Sequence, residues 1–261
     1  MTDAARQHNE HWVGVVTLLP ELFAGVTEHG VARRAFADGL SCEYFNPRDF
    51  TERKHGQVDD KPYGGGPGMV MQPQPLEAAV NAARRRAGVV VPEQKPLLVV
   101  PSPQGEVLTQ ALVQQLACEP ALIFICGRYE GIDERVVAQA DLEISLGDFV
   151  LTGGELAVQV ILDAVSRWLP GTLGNAESAG SDSFADGVLE GPQYTRPEAT
   201  ADGRAVPAVL RSGDHAAITR YRRKLALQRT FERRPELLLR RPLTALDREL
   251  LAELFTEPST D

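Results

Sequence analysis

The sequence predicts an α/β fold with a largely parallel sheet, followed by a helical region, and three observations lead there. PLLVV at Pro96–Val100 and ALIFIC at Ala121–Cys126 are continuous apolar runs, as in strands buried on both faces. Helix-length segments lie between such runs, the alternation that builds parallel sheets. Beyond Gly203 the apolar spacing becomes helical and the charge becomes basic.

Taken in order, residues Val13 to Leu18 read as a buried strand, and Pro20 suits the first turn of a short helix. Leu76 to Ala87 reads as a helix, and Pro96 to Val100 as a strand. Thr109 caps a helix reaching Ala117, Ala121 to Cys126 is a strand, Asp133 opens a helix, and Leu142 to Ser145 is a further strand. Ligands on such sheets gather beyond the carboxyl ends of the strands. Three loops fall there: Pro101 to Glu106, Gly127 to Glu134, and Gly147 to Gly154. From Gly171 to Gly203 the pattern fades into Gly, Ser, Asp and Pro, as expected of a functional loop, lid or linker. His215 to Arg234 then reads as a helix with Ile218, Tyr221 and Leu225 on one stripe. Pro235 interrupts it, and Thr244 with Asp247 forms a capping box before a last helix.

Composition narrows the class. The chain has 261 residues, 43% of them hydrophobic, enough to bury a sizeable core. Cys42, Cys118 and Cys126 are an odd, scattered set, which points to reduced thiols in a cytoplasmic protein. The polar start predicts a loose tail over the first eleven residues and no signal peptide. No run approaches the ~20 apolar residues of a membrane span. Net charge is −9, yet Arg211 to Arg241 holds ten basic residues against three acidic ones. Such segregation predicts a basic lobe on an acidic body, suited to a polyanionic partner.

Common nucleotide and hydrolase motifs are missing. YGGGPGM, Tyr63 to Met69, does not fit G-x-G-x-x-G, because Met69 stands at the last required position. There is no Gly-Lys dipeptide for a Walker A loop, no H-E-x-x-H, and no G-x-S-x-G elbow. In GDFVLTGGELA, Thr152 and Glu155 have the spacing of a capping box, which predicts a structural role for Glu155. Gly153 and Gly154 at a helix start cost roughly 1 kcal/mol each against alanine. They are expected where backbone turns sharply or meets something closely.

Nine segments then occur in one order: VVTLLPELF (Val15 to Phe23), KPYGGGPGM (Lys61 to Met69), SPQG (Ser102 to Gly105), CGRYEGIDERV (Cys126 to Val136), GDFVLTGGEL, DAVSRWLPG (Asp163 to Gly171), DSF (Asp182 to Phe184), YTRP (Tyr194 to Pro197) and LRSGDH (Leu210 to His215). In these the chain resembles the bacterial tRNA (guanine-N1-)-methyltransferase family. The resemblance implies a SPOUT fold: an α/β domain with a carboxyl-terminal trefoil knot over residues 1–170, an interdomain loop over 171–203, and a helical tRNA-binding domain over 204–261. It implies a cytoplasmic homodimer with active sites at the subunit interface. Such an enzyme transfers a methyl group from S-adenosylmethionine to N1 of the guanine just 3′ of the anticodon. Magnesium, which the family uses, would act with the RNA, since the sequence offers no all-protein site for it.

The resemblance also distributes roles. Asp182 becomes the general base and Arg167 its electrostatic partner. Pro101, Ser102, Pro103, Gly105, Gly127, Tyr129, Glu130, Leu146, Gly147, Asp148, Phe149, Val150, Leu151, Gly153 and Gly154 become cofactor-binding. Arg220, Arg222, Arg223 and Lys224 fall to the tRNA, and His215 to the tRNA or to a structural place beside the helix cap. The chain departs from the family pattern at Pro101, Phe149, Ala157 and Tyr221, where Leu, Tyr, Pro and Trp are usual; none removes a reactive group. Two alternatives stay open on the residues alone: a SPOUT-type RNA methyltransferase acting on another base or a ribose, and a noncatalytic tRNA-binding protein.

Overall fold

The computed structural model describes residues 11–92, 94–174, 179–180 and 182–256, so nearly all of the expected amino-terminal tail lies outside the described residues. The chain divides into two compact units, the boundary falling after residue 176.

The first unit is built on a five-stranded sheet of β1 (His11–Val16), β2 (Leu40–Phe45), β5 (Leu97–Val107), β6 (Ala121–Ile125) and β7 (Leu142–Ser145), in the order β2-β1-β6-β5-β7. Every pairing in it is parallel. The continuous apolar runs have their reason here, because β6 is buried at all five positions and feeds two cores. On one face Leu122 and Phe124 pack with Leu112, Val113 and Leu116 of α4 (Gln110–Cys118) and with Ile161, Leu162 and Val165 of α6 (Glu155–Ser166). On the other, Ile123 and Ile125 pack with Leu76, Ala79, Val80, Ala83 and Ala87 of α3 (Pro73–Val90), residues that share one helical face. Gly14 in β1 is a packing requirement, since a Cβ there would lie 2.5 Å from the ring of buried Trp12.

Several elements match the sequence expectation closely. β7 has the expected bounds, Thr109 accepts a hydrogen bond from Leu112 N at 3.3 Å, and Asp133 caps the single turn α5 (Glu134–Val137). β1 stops at Val16 rather than Leu18, two short helices follow it, α1 (Ala24–Thr27) and α2 (Arg33–Ala37), and α3 is longer than expected at both ends. β5 differs most. It runs on to Val107, with Pro101 and Glu106 both registered against Ile144, so that Ser102 to Gly105 leave the ladder as a bulge. The expected loop is therefore an excursion within a strand. Pairing resumes because β7, supplied later in the chain, offers a second stretch of edge. Sequence reading missed β2, whose side chains are mostly part-exposed. It also missed a two-stranded antiparallel ladder of β3 (Asp59–Asp60) and β4 (Val70–Met71). YGGGPGM belongs to the loop joining these two short strands, with Gly64, Gly65, Gly66 and Gly68 all at positive φ.

The second unit contains a helix at His215–Arg233, a short one at Pro235–Leu239 and a last one at Ala245–Thr256. Its core joins Leu227 and Leu250 to Val188, so part of the Gly-rich stretch is folded against the long helix. Leu189 N donates to Thr230 Oγ1 at 2.9 Å there. The expected stripe of Ile218, Tyr221 and Leu225 is only half-buried; the deepest positions are Ala226, Leu227 and Thr230, where these partners pack. The capping box forms as expected: Asp247 N donates to Thr244 Oγ1 at 3.0 Å and Thr244 N to Asp247 Oδ2 at 3.1 Å. Asp247, 1% exposed, also accepts from Arg223 at 2.7 Å and from Arg241 at 2.9 Å. These donors, Arg223 foremost, hold its carboxyl well below the usual carboxylate range.

A carboxyl with a lowered pKa stabilises the fold above its unfolded value, ~3.9, and that stabilisation is lost as pH falls toward the folded value. Asp247→Asn is therefore expected to cost ~1.5–3 kcal/mol at pH 7, the worth of a charged hydrogen bond. Urea denaturation at pH 7 and at acid pH checks it; the penalty narrows once the medium is more acidic than pH ~4.

Candidate active site

A cleft opens beyond the carboxyl ends of β6 and β7, beside the bulge in β5. Its wall carries Pro101, Ser102 and Pro103 from the place where β5 enters its bulge, and Gly127, Tyr129 and Glu130 from the loop after β6. The loop after β7 adds Leu146, Gly147, Phe149, Val150, Leu151, Gly153 and Gly154. Thirteen of the fifteen residues expected at a cofactor site thus share one cleft. The other two are placed differently. Gly105 sits against β7, where a Cβ would come within 2.4 Å of the Glu143 backbone, and Asp148 is exposed outside the lining. Arg128, Gly131, Ile144, Ser145, Thr152 and Ala157 line the cleft without having been expected. Of these, Arg128, Gly131, Thr152 and Ala157 stood inside the quoted stretches, and their neighbourhood was the available signal.

The glycine pair has a physical explanation. Gly154 N donates to Gly127 O at 2.9 Å, and a Cβ on Gly154 would stand 2.9 Å from Cys126 Cα. Backbone meets backbone at the mouth of β6, which no larger residue allows. A Cβ on Gly153 would lie 2.6 Å from Arg128 Nε. Both glycines precede α6, whose N-cap is Gly154 with no side-chain cap bond, so the capping box expected from Thr152 and Glu155 does not form.

Glu155, the first residue of α6, turns inward instead and is 1% exposed. Its Oε1 accepts from Thr17 Oγ1 at 3.0 Å and from Arg128 Nε at 3.1 Å. Oε2 lies 3.0 Å from the same nitrogen but has no well-directed hydrogen bond. Arg128 Nη1 reaches Thr152 O at 3.4 Å, and Thr17 Oγ1 accepts from Leu19 N. One carboxylate therefore ties the chain after β1, the loop after β6 and the start of α6. Next to it Cys126 is fully buried, and burial pushes its thiol well above the usual range. Cys42, Cys118 and Cys126 are all free.

The loop after β6 is braced from outside. Glu130 N donates to Met69 O and Met71 N to Gly131 O, both at 2.9 Å. A Cβ at Gly68 would fall 2.3 Å from Glu130 Cγ, so the glycine-rich loop makes room for that carboxylate side chain. Tyr129 has a φ of 61°, an uncommon left-handed conformation for a bulky residue, and is 47% exposed. Burial and the neighbouring Asp59 raise its phenol pKa.

The other expected site residues fall as follows. Arg167 is the C-cap of α6 and half-buried, in the first unit. Asp182 is in the second, half-buried, in a turn where its carbonyl accepts from Ala185 N and Phe184 N donates to Val188 O. His215 is exposed at the start of the long helix, whose cap is Asp214, accepting from Ala216 N and Ala217 N at 3.0 Å. Arg220 pairs with Glu249 and Glu253, Arg223 with Asp247 and Asp186, and Lys224 with Glu253. Arg222 is exposed and makes no ion pair among the described residues. No described helix is long and apolar enough to cross a membrane.

A parallel α/β sheet with a glycine-lined cleft at its carboxyl edge is the arrangement in which α/β enzymes take their ligands. Its family is specific. The chain belongs to the tRNA (guanine-1)-methyltransferase TrmD family, whose model matches residues 11–240. It is 53% identical over 248 residues to a tRNA (guanine-N(1)-)-methyltransferase of Aliivibrio salmonicida, covering 94% of this chain and 97% of the relative. It is 52% identical over 252 residues to that of Photorhabdus laumondii, covering 96% and 98%. To that of Pseudomonas paraeruginosa it is 53% identical over 248 residues, covering 94% and 96%.

Glu155→Ala would leave Arg128 and Thr17 without their shared partner. The expected cost is ~3–5 kcal/mol, as for a broken buried ion pair. Chemical denaturation measures it, and a loss below ~1 kcal/mol would show that the carboxylate is not the tie between these segments.

Proposed function

We propose that this protein transfers a methyl group from S-adenosylmethionine to N1 of the guanine immediately 3′ of the anticodon in tRNA. The observation that carries the reading is that SPQG, GRYEGIDE and GDFVLTGG, far apart in sequence, all border one cleft. Relatives about half identical over nearly their whole length bear the name tRNA (guanine-N(1)-)-methyltransferase.

The lining suits the donor. Glycines at 127, 131, 147, 153 and 154 keep side chains away from the wall, and Ile144, Leu146, Val150 and Leu151 supply apolar surface for a nucleoside ring. Glu130 offers the carboxylate that a cationic methionine moiety needs. S-adenosylmethionine supplies an electrophilic sulfonium methyl when bound.

The chain's own residues do the rest. N1 of neutral guanine carries a proton, so its lone pair is not free to attack. Asp182 accepts that proton as general base. Arg167 stabilises the negative charge that spreads toward O6. The long helix of the second unit and its arginines meet the tRNA phosphates, with exposed Arg222 the freest of them to do so. Arg223, paired with buried Asp247, serves that unit's stability as well. The protein works in the cytoplasm as a homodimer, its donor cleft formed in a trefoil knot and each site completed at the subunit interface. Magnesium acts with the RNA.

Asp182→Asn is expected to keep donor and tRNA binding while slowing single-turnover transfer by ~10²–10⁴-fold; transfer within tenfold of wild type would remove Asp182 from the role of base.

Two-fold symmetry makes the shared site testable, because whatever one subunit lends it also receives. Asp182→Ala is mixed with a cleft-filling Leu151→Trp, chosen over a change at Gly154 because Gly154 packs backbone on backbone. Exchanged heterodimers are expected to recover activity, since one of their two sites is intact. Subunits that exchange yet stay inactive would assign each base to its own chain's cleft.

A further inference from the structure

We propose that Arg48 and Arg128 form an oxyanion subsite beside the donor cleft, and that its ligand is a backbone phosphate of the RNA close to the reacting guanine. The ligand's identity rests on the methyl-transfer reading above; the existence of the subsite does not.

A second pocket, of about 260 Å³, adjoins the cleft and is lined by Leu18, Leu19, Arg48, Arg128, Tyr129 and Thr152. A water's share of liquid is ~30 Å³, so a phosphodiester group has room there. Arg128, Tyr129 and Thr152 line both spaces, whereas Arg48 borders only this one.

The two guanidinium groups are differently committed. Arg128 spends Nε on Glu155 and Nη1 on Thr152 O, and its Nη2 makes no hydrogen bond among the described residues. Its charge is matched by the buried carboxylate. Arg48 makes no ion pair among the described residues, so it is the unmatched cation of the pair. Its backbone is nonetheless fixed: Asn46 Oδ1 accepts from Arg48 N at 3.0 Å at the head of the turn Pro47–Phe50. Gly56 lies beside its stem, where a Cβ would stand 3.4 Å from Arg48 Cβ. Among the described residues, Asp59 also bears on this pocket, facing the Tyr129 hydroxyl. A pocket where Arg48 makes no ion pair among the described residues, Arg128 keeps one guanidinium nitrogen unbonded among them, and Leu18 and Leu19 add apolar lining fits an oxyanion, which planar guanidinium groups grip through paired N–H donors.

Two oxyanions are on offer, the donor's carboxylate and an RNA phosphate. The second is favoured because Arg48 stands outside the donor cleft, bordering only the adjoining pocket.

The test is Arg48→Gln, with tRNA binding measured against salt and donor binding measured separately. The expected result is tRNA binding weakened ~3–10-fold, a log–log salt slope reduced by ~1, unchanged donor affinity and an unchanged melting temperature. Arg48→Lys should restore the slope and only part of the affinity, as a point charge replaces a fork. Unchanged tRNA affinity and slope together with unchanged donor affinity would overturn the subsite. Loss of donor affinity with unchanged tRNA binding would give the pocket to the donor's carboxylate and overturn the phosphate assignment. Wild-type transfer to a tRNA transcript is followed in parallel. An inactive wild type whose tRNA binding still depends on Arg48 would sink the reaction and keep the subsite; an active one indifferent to Arg48 would do the reverse.

Discussion

A buried carboxylate is expensive to keep charged, costing several kcal/mol unless its partners are well placed, and Glu155 has them. Thr17 and Arg128 come from chain segments 138 and 27 residues away from it, and both bond to Oε1. Withdrawing either partner leaves a charge in an apolar surrounding, so the arrangement is close to all-or-none. The glycines at 153 and 154 are consequences of it. They let the chain pass close enough to β6 for the helix to begin at Glu155 with its side chain pointing inward.

The same economy governs the second unit. Asp247 caps its own helix and receives Arg223 and Arg241, so one acid orders two segments that sequence places on either side of Pro235. A region that reads as a uniform basic lobe is therefore internally differentiated. Some arginines are bound up in holding helices together, and others, such as Arg222, remain presented to solvent.

What the sequence disclosed follows from what its signals encode. Buried strands and capped helices are local patterns, so β6, β7 and the Thr109 and Asp133 caps were legible. The quoted motifs located most of the cleft, because residues near a ligand sit in short contiguous loops. What escaped depends on distant partners. Ser102 to Gly105 become a bulge only because β7 pairs on both sides of them. Glu155 carried the spacing of a capping box, and nothing local said that Thr17 would compete for it and win. Arg48 belongs to none of the motifs first singled out, and its interest appears only once Arg128 is seen beside it. β2 was missed because its face alternates too weakly to stand out.

Five glycines stand in the wall of the cleft, at 127, 131, 147, 153 and 154. Where the wall is glycine it can drift little by point mutation: most replacements there add bulk without altering the main-chain amides. At Gly131 and Gly147, with φ of 137° and 143°, a side chain would also be forced into a backbone conformation it rarely adopts. On the donor-binding reading proposed above, a competitive inhibitor shaped to those main-chain groups would meet a target with few routes to resistance, since the changes that exclude the inhibitor also deform the cleft.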